Sequence, residues 1–153
     1  MTDEDVLRCA FELACRARAH GNHPFGAVLV NPDGTIALEA ENTVVTDGDC
    51  TAHAEINLIR IAFRTLGPTS SGHTMFASTE PCPMCAGAAY WSGIGRIVYG
   101  LSATRLKAMT SPGRPPSIDL SCRDVLARGA RRVVVVGPLL EDEAVEVHRG
   151  FWR

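Results

Sequence analysis

Two short segments, His53-Ala54-Glu55 and Pro81-Cys82-Pro83-Met84-Cys85, constrain this chain more than any other feature of its sequence. Together they supply one imidazole and two thiols, which are donors that zinc prefers in proteins. Because tetrahedral zinc takes four ligands, these three leave one position for water, as in catalytic sites. The fold must therefore bring both segments to one zinc ion held by His53, Cys82 and Cys85.

The surroundings of both segments predict that each begins a helix. An apolar pattern follows His53 and ends at Gly67-Pro68, and Pro83 suits a first helical turn because its missing N–H has no partner there. Two helix N-termini would then meet at the metal, where their positive partial charge favours thiolates over thiols. Glu55 stands two residues from His53, so we expect it to carry protons rather than bind the metal.

Size and composition indicate one domain spanning residues 1–153, with 46% hydrophobic residues and a net charge of −2. The charge gives no overall attraction to nucleic acid, which therefore is not the expected partner. No apolar run approaches the length of about 18 residues needed for a membrane span, and the acidic start is unlike a signal peptide. We expect a cytoplasmic protein, with Cys9, Cys15 and Cys122 as free thiols in the core.

The order of elements predicts an α/β fold. Thr2 and Asp5 form a capping box for a first helix. The predicted strands are 25–30 and 35–41, which form a hairpin, followed by 75–78, 97–100 and 132–136. The predicted later helices are one from His53 with Ile56, Ile59, Ala62, Phe63 and Leu66 facing inward, one from Pro83 to about Ser92, one near 122–128, and one over 141–151.

The two metal-binding segments, together with His23-Pro24-Phe25-Gly26, Asn42 and Ser78-Thr79-Glu80, resemble the cytidine and deoxycytidylate deaminase superfamily. H-x-E with P-C-x-x-C is a known signature of zinc deaminases. The wider resemblance is closest to the guanine deaminase and nucleoside deaminase branch. It implies a three-layer α/β/α fold around a central mixed five-stranded sheet, one Zn²⁺ per chain, and a homodimer.

The resemblance also implies roles for individual residues. Asn42 matches the family asparagine that hydrogen-bonds the substrate base, and an amide offers both a donor and an acceptor for that purpose. Phe25 either stacks on a purine or fills the core. Ala54 and Glu80 lie in the matching segments and are further candidates for substrate binding, although Glu80 can equally support the site from behind.

The predicted reaction is hydrolytic deamination. Glu55 would take a proton from water, protonate a ring nitrogen, and later pass a proton to the departing amine, so that ammonia leaves. The metal motif alone fits cytosine, adenine and guanine rings equally. The resemblance favours a small purine base or nucleoside of the guanine type.

Three alternatives remain open at this point. The chain could be a tRNA adenosine deaminase, although its late arginines (Arg123, Arg128, Arg131 and Arg132) suggest a solvated face more than a binding strip. It could be a cytosine or cytidine deaminase. It could also be a non-catalytic interaction domain if Cys50 or His73 closed the zinc site as a fourth ligand.

The end of the chain carries two aromatic residues, Phe151 and Trp152, after His148. An aromatic pair at a terminus is expected to dock on protein surface. The pair either covers an active site, its own or a partner's, or packs on the helices of its own domain. His148 has no ligand spacing and is expected to be solvated or to cap a helix, and residues 101–119 show no readable pattern.

Overall fold

A mixed sheet of five strands forms the centre of the computed structural model, which describes residues 1–69, 71–110 and 117–152. The strands are β1 (Gly26–Val30), β2 (Ile36–Glu41), β3 (Thr74–Thr79), β4 (Arg96–Leu101) and β5 (Val134–Val136). Their order in the sheet is β2-β1-β3-β4-β5. β1 pairs antiparallel with both β2 and β3, whereas β3, β4 and β5 run parallel.

Seven helices accompany this sheet in the described part of the chain. They are α1 (Asp3–Ala19), α2 (Val44–Asp47), α3 (Ala54–Leu66), α4 (Pro83–Ser92), α5 (Ala103–Thr110), α6 (Cys122–Ala127) and α7 (Glu141–His148). The predicted elements are present, with bounds that differ by a few residues. Two helices had no counterpart in the sequence pattern, namely α2 and α5.

Two hydrophobic clusters lie on opposite faces of the sheet. Because the side chains of a strand alternate between the two faces of a sheet, neighbouring residues of β1 belong to different clusters. Ala27 and Leu29 lie in one cluster, and Val28 and Val30 lie in the other. The first cluster is covered by α3, α4 and α6, and the second by α1 and α7. The expected three-layer α/β/α architecture is confirmed.

The first helix begins as predicted, since Thr2 and Asp5 form a complete capping box. The expectation for one of its cysteines is wrong. Cys15 is exposed, because it lies on the outward side of α1 beside the buried Ala14. Cys122 is buried and Cys9 partly buried, so these two thiols do contribute to packing.

The predicted inner face of α3 is also partly wrong. Its buried residues are Ala54, Glu55, Leu58 and Ala62, whereas Phe63 and Leu66 are 50% and 53% exposed. Ala54, Leu58 and Ala62 recur every four residues, and small side chains among them allow the helix to lie close to the sheet. Phe63 and Leu66 therefore point away from the core and leave an apolar surface on the outside of α3.

The parallel strands β3 and β4 place their carboxyl ends at the same edge of the sheet. The chain leaves β3 at Thr79 and enters α4, and it leaves β4 at Leu101 and enters α5. This edge is where ligands commonly bind in open α/β sheets. Among the described residues, no helix combines the length and the apolar character needed to cross a membrane.

Candidate active site

Three side chains from the two motifs meet at this edge of the sheet. Nδ1 of His53 lies 3.6 Å from Sγ of Cys82 and 3.5 Å from Sγ of Cys85. A tetrahedral zinc ion with ordinary bond lengths separates a nitrogen and a sulfur ligand by about 3.6 Å. The donor set and its spacing therefore fit zinc. No fourth histidine, cysteine or acidic residue joins this group in the described chain, so Cys50 and His73 do not close the site.

Helix capping explains how the ligands converge. His53 is the N-cap residue of α3 and Cys82 is the N-cap residue of α4, with Pro83 in the first turn as the sequence predicted. Cys85 follows one turn later, so both sulfurs lie at the same helix end. Free N–H groups and the positive end of each helix dipole face this point and stabilise negative charge there.

The two thiols differ in acidity. The hydrogen bond from Cys85, with a further contribution from His53, lowers the pKa of Cys82 to about 4. The same pairing with Cys82, together with burial, raises the pKa of Cys85. One sulfur of the pair is therefore a thiolate at neutral pH, and zinc binding requires the second proton to leave as well.

Glu55 lies beside the metal donors but is not one of them. Its Oε2 is 3.6 Å from Sγ of Cys85, and its side chain is buried in the first turn of α3. Burial raises the pKa of Glu55 to about 7. A carboxyl group with a pKa near neutrality can both accept and donate a proton under physiological conditions.

A cavity of about 770 Å³ opens next to these residues and is lined by His53, Glu55 and Cys82, among others. Two predicted substrate-binding residues, Asn42 and Phe25, also line it. Asn42 is 1% exposed, and its Oδ1 accepts the backbone N–H of Val44 at 3.0 Å. Because its carbonyl oxygen already has this partner, its NH₂ group is the donor left for a ligand.

The other two predicted substrate contacts are placed differently. Ala54 is fully buried in the core cluster and is not among the residues that line the cavity. Glu80 does line the cavity, but both of its carboxylate oxygens accept backbone N–H groups, those of Ala103 and Cys122.

The C-terminal aromatic pair packs on its own domain. Trp152 donates its indole N–H to Nδ1 of His148 at 3.0 Å, and its ring lies 6.2 Å from that of Phe25. His148 is 2% exposed, so the expectation that it is solvated or caps a helix surface is wrong. His148 and Trp152 contact the ring of Phe25, which lines the cavity, but they are not themselves among its lining residues.

Sequence reasoning did not find the outer wall of the cavity. It consists of α5 residues and of a segment before α6, among them Leu106, Lys107, Asp119 and Ser121. Nζ of Lys107 and Oδ2 of Asp119 form an ion pair at 2.7 Å across this wall. No motif marks these positions, and the only available signal was Glu80, whose partners cannot be read from the sequence.

Known proteins share these features. Residues 1–101 match the cytidine and deoxycytidylate deaminase zinc-binding region. The chain belongs to this deaminase family. Its zinc cofactor and its activity follow from that membership and from the donor geometry: it is a hydrolase that acts on C–N bonds of nucleobases or nucleosides.

Individual relatives differ in their substrates. A probable cytosine deaminase of Schizosaccharomyces pombe is 40% identical over 155 residues, covering 99% of this chain and 94% of its own. The guanine deaminase of Bacillus subtilis is 42% identical over 106 residues, covering 68% and 67% of the two chains. A tRNA-specific adenosine deaminase of Haemophilus influenzae is 40% identical over 110 residues, covering 71% and 64%.

A crystal structure of a related protein in complex with 2,6-diaminopurine has the same fold. It matches 97% of this chain and 80% of its own chain with a TM-score of 0.81 and 28% sequence identity. The superposition extends beyond the metal motif to the C-terminal elements, which are outside the 1–101 family match.

Proposed function

We propose that this deaminase acts on a free nucleobase or its nucleoside, with guanine as the preferred base. The observation that carries the proposal is the position of Glu55, a buried carboxyl group beside three metal donors and open to a cavity. A structural zinc site has no use for such a group, whereas hydrolytic deamination needs one to move protons.

In the proposed reaction, water is activated by zinc and Glu55 transfers the protons. Zinc, when bound, supplies the Lewis acidity that makes water nucleophilic near neutral pH. Glu55 takes a proton from the attacking water and delivers it to the ring nitrogen next to the amino-bearing carbon. Glu55 next takes the remaining proton of the added hydroxyl group and passes it to the amino group. The C–N bond then breaks as the carbonyl forms, and ammonia leaves, so one carboxyl group serves both transfers.

Binding is assigned to the residues that face Glu55 across the cavity. Asn42 donates its NH₂ group to an acceptor on the base and thereby fixes the ring orientation. Phe25, held from behind by His148 and Trp152, offers an aromatic face for stacking. The purine ligand of the structurally similar protein supports a purine in this position.

Cytosine is a second candidate, because a relative that is 40% identical to this chain almost end to end is named as a probable cytosine deaminase. Both rings present a nitrogen beside an amino-bearing carbon, so the proposed chemistry serves either. They differ in size, and discrimination therefore depends on the outer part of the cavity.

A tRNA substrate is less consistent with the charges. Arg123 donates to the carbonyl groups of Val135 and Gly137, and Arg131 donates to that of Tyr90. These two guanidinium groups hold the domain together, and Lys107 is paired with Asp119. A basic footprint for phosphates needs cations that are available to the nucleic acid.

A substrate panel tests the proposal directly. Ammonia release by the zinc-loaded protein is measured with guanine, guanosine, 2,6-diaminopurine, adenine, cytosine, cytidine and an anticodon-loop RNA. The proposal expects the highest kcat/KM for guanine. A higher value for cytosine would move the assignment to the second candidate, and turnover of the RNA alone would refute a free-base substrate.

The proposal includes a homodimer, formed through the outer face of α4. This helix carries no charged residue, and Met84 and Trp91, two turns apart on its outer side, are 38% and 83% exposed. A helix that is apolar on all sides is expected to be covered on all sides. The exposed Phe63 and Leu66 on α3 add to this apolar surface.

Because Met84 also lines the cavity, the partner would lie close to the active site. Light scattering of W91E should show a monomer where the wild type is a dimer. A monomeric wild type would refute this part of the proposal. The matched control is V45E, which changes an exposed apolar residue of α2.

We also assign the protein to the cytoplasm. None of the six cysteines, all of which the structure describes, forms a disulfide: Cys82 and Cys85 are metal donors, and the other four, including the exposed Cys15 and Cys50, are free thiols. Free exposed thiols are typical of a reducing compartment. Fractionation of cells that produce the tagged protein tests this assignment.

A further inference from the structure

Glu80 connects three parts of the site. It lies between the end of β3 and the metal ligand Cys82, and its Oε1 accepts the N–H of Ala103 at 3.2 Å. Its Oε2 accepts the N–H of Cys122 at 3.1 Å. Ala103 is the first residue of α5 and Cys122 is the first residue of α6. One carboxylate therefore joins the starts of two helices to the segment that carries the metal.

The outer wall of the cavity consists of α5, which begins at the first of these N–H groups, and of residues 117–121, which lead to the second. Leu106 and Lys107 of α5 line the cavity from one end of this wall, and Asp119 and Ser121 line it from the other. Both ends of the wall are thus attached to the same side chain, which is fixed relative to Cys82 by the backbone.

Both hydrogen bonds have ordinary lengths, and they share one carboxylate acceptor. Both donors belong to first turns of helices, where N–H groups lack partners within the helix and carry partial positive charge. A carboxylate facing such groups makes charge-assisted hydrogen bonds, which stabilise more than neutral ones. Burial, with a further contribution from Glu80, raises the pKa of the Cys122 thiol to about 12, so no competing negative charge forms there.

We propose that Glu80 is a positioning residue that holds the outer wall against the metal segment and thereby sets substrate affinity. The inference rests on the proposed function, because it assumes that the base lies between this wall and Glu55. The proposal leaves proton transfer to Glu55 and gives Glu80 the two backbone N–H groups that its oxygens accept.

The variant E80Q tests whether Glu80 holds the outer wall in place or only stabilises its own segment. Glutamine has the same shape but only one oxygen, and its NH₂ group would face a second N–H donor. One of the two attachments is therefore lost. The control is E141Q: Oε2 of Glu141 accepts the backbone N–H of Ser102 at 2.7 Å, and a glutamine oxygen can keep that bond. E141Q also removes the long, partly exposed ion pair with Arg105, which is expected to contribute about 0–1 kcal/mol.

Hydrogen exchange of the zinc-loaded proteins tests the attachment without any substrate. We expect the Ala103 or Cys122 amide to exchange at least about tenfold faster in E80Q than in the wild type. The same amides should be unchanged in E141Q. Equal exchange at both amides in E80Q and the wild type would overturn the inference. Should E80Q lose its zinc, E80D is used, because it keeps the charge but is one methylene shorter.

Kinetics test the consequence for substrate. A positioning role predicts that E80Q raises KM about fivefold to thirtyfold while kcat stays within about twofold and its pH profile is unchanged. A fall in kcat of more than about thirtyfold at constant KM would show that Glu80 acts in the chemistry, and would overturn the proposal.

The two proposals fail in different ways. If the wild type releases ammonia from no base in the panel, the proposed function is wrong, whereas the exchange rates still report whether Glu80 holds the wall. If the wild type is active and the E80Q amides exchange like those of the wild type, only the role of Glu80 is wrong.

Discussion

The metal side of the cavity and its outer wall are built in different ways. The metal side consists of two helix starts, in which His53 and Cys82 are N-cap residues and Cys85 follows within one turn. The outer wall is held by contacts between residues far apart in the sequence. Glu80 reaches 23 residues ahead to Ala103 and 42 residues ahead to Cys122.

This difference indicates that the metal side carries the chemistry and that the outer wall sets substrate selectivity. A helix start orients the reacting groups on each segment, although the two starts are 29 residues apart in the chain and meet only in the folded protein. The outer wall depends on a few distant hydrogen bonds, so its position can change without disturbing the metal. The relatives named for cytosine, guanine and tRNA adenosine are consistent with one reaction and several shapes of substrate.

The strongest test of the metal side is the substitution C85S. Loss of one thiolate should remove the zinc and lower activity by more than about 100-fold. This exceeds the loss of about 10- to 100-fold that follows when a residue behind a metal ligand is replaced. The melting temperature should fall as well, because metal binding contributes to folding. Zinc analysis, ammonia release and thermal unfolding measure these effects.

The control for C85S is C15S, which removes an exposed thiol of α1 outside the site. It should keep zinc, activity and melting temperature. Full zinc occupancy in C85S would mean that another donor replaces Cys85. The set of zinc ligands would then be less strictly defined than the structure implies.

The substitution E55Q should have the next largest effect, and it acts on chemistry alone. Glutamine keeps the size of the side chain but cannot accept a proton, so kcat should fall by about 10²- to 10⁴-fold. Zinc content should be unchanged, because Glu55 is not one of the three donors. A fall of less than about tenfold would require another proton carrier.

A smaller effect is expected on the outer wall. Oγ of Ser121 accepts the N–H of Asp124 at 3.1 Å and caps α6, so S121A should destabilise the protein by about 1 kcal/mol. KM should rise, because Ser121 lines the cavity. The control is T2A, which removes the corresponding N-cap of α1. T2A should lower stability to a similar degree without changing KM.

If S121A and T2A leave KM equally unchanged, the outer wall does not control substrate affinity, and the contrast between the two sides is lost. Urea unfolding and initial rates on the best substrate of the panel distinguish these outcomes.

The smallest effect concerns the end of the sheet opposite the cavity. Nη1 of Arg96, at the start of β4, donates to Oδ1 of Asp3 at 2.9 Å, and this hydrogen bond lowers the pKa of Asp3. A carboxyl group with a lowered pKa in the folded state stabilises the protein above its unfolded pKa. That contribution disappears as the pH falls through the lowered value.

The melting temperature of D3N should therefore be slightly below that of the wild type at pH 7, and the difference should shrink below about pH 4. The effect is small, since partly exposed ion pairs stabilise by about 0–1 kcal/mol. A difference that grows toward low pH would have the wrong sign for this pair. Activity at pH 7 should be unaffected.

Much of the fold could be predicted because its signals are local. The capping box at Thr2, the hairpin of β1 and β2, and the proline at the start of α4 each depend on neighbours a few residues apart. The inner face of α3 was predicted wrongly for Phe63 and Leu66. Their hydrophobic side chains suggested an inward position, whereas the buried face of α3 consists of Ala54, Glu55, Leu58 and Ala62.

The state of His148 could not be predicted either. Its burial depends on Trp152, which donates to it, and on Phe25, which contributes a ring at 5.5 Å from the other end of the chain. The roles of Asn42, Phe25, Ala54 and Glu80 toward a substrate remain predictions, and the structure adds which of them line the cavity.

The sequence by itself determined the metal, its three ligands, the nearby carboxyl group and hence the class of reaction, because donor chemistry and helix capping act within a few residues. Only the tertiary structure decided what surrounds them. The outer wall, the support behind Phe25 and the apolar face of α4 all arise from contacts between distant segments. Such contacts depend on packing in three dimensions, which residue spacing does not encode.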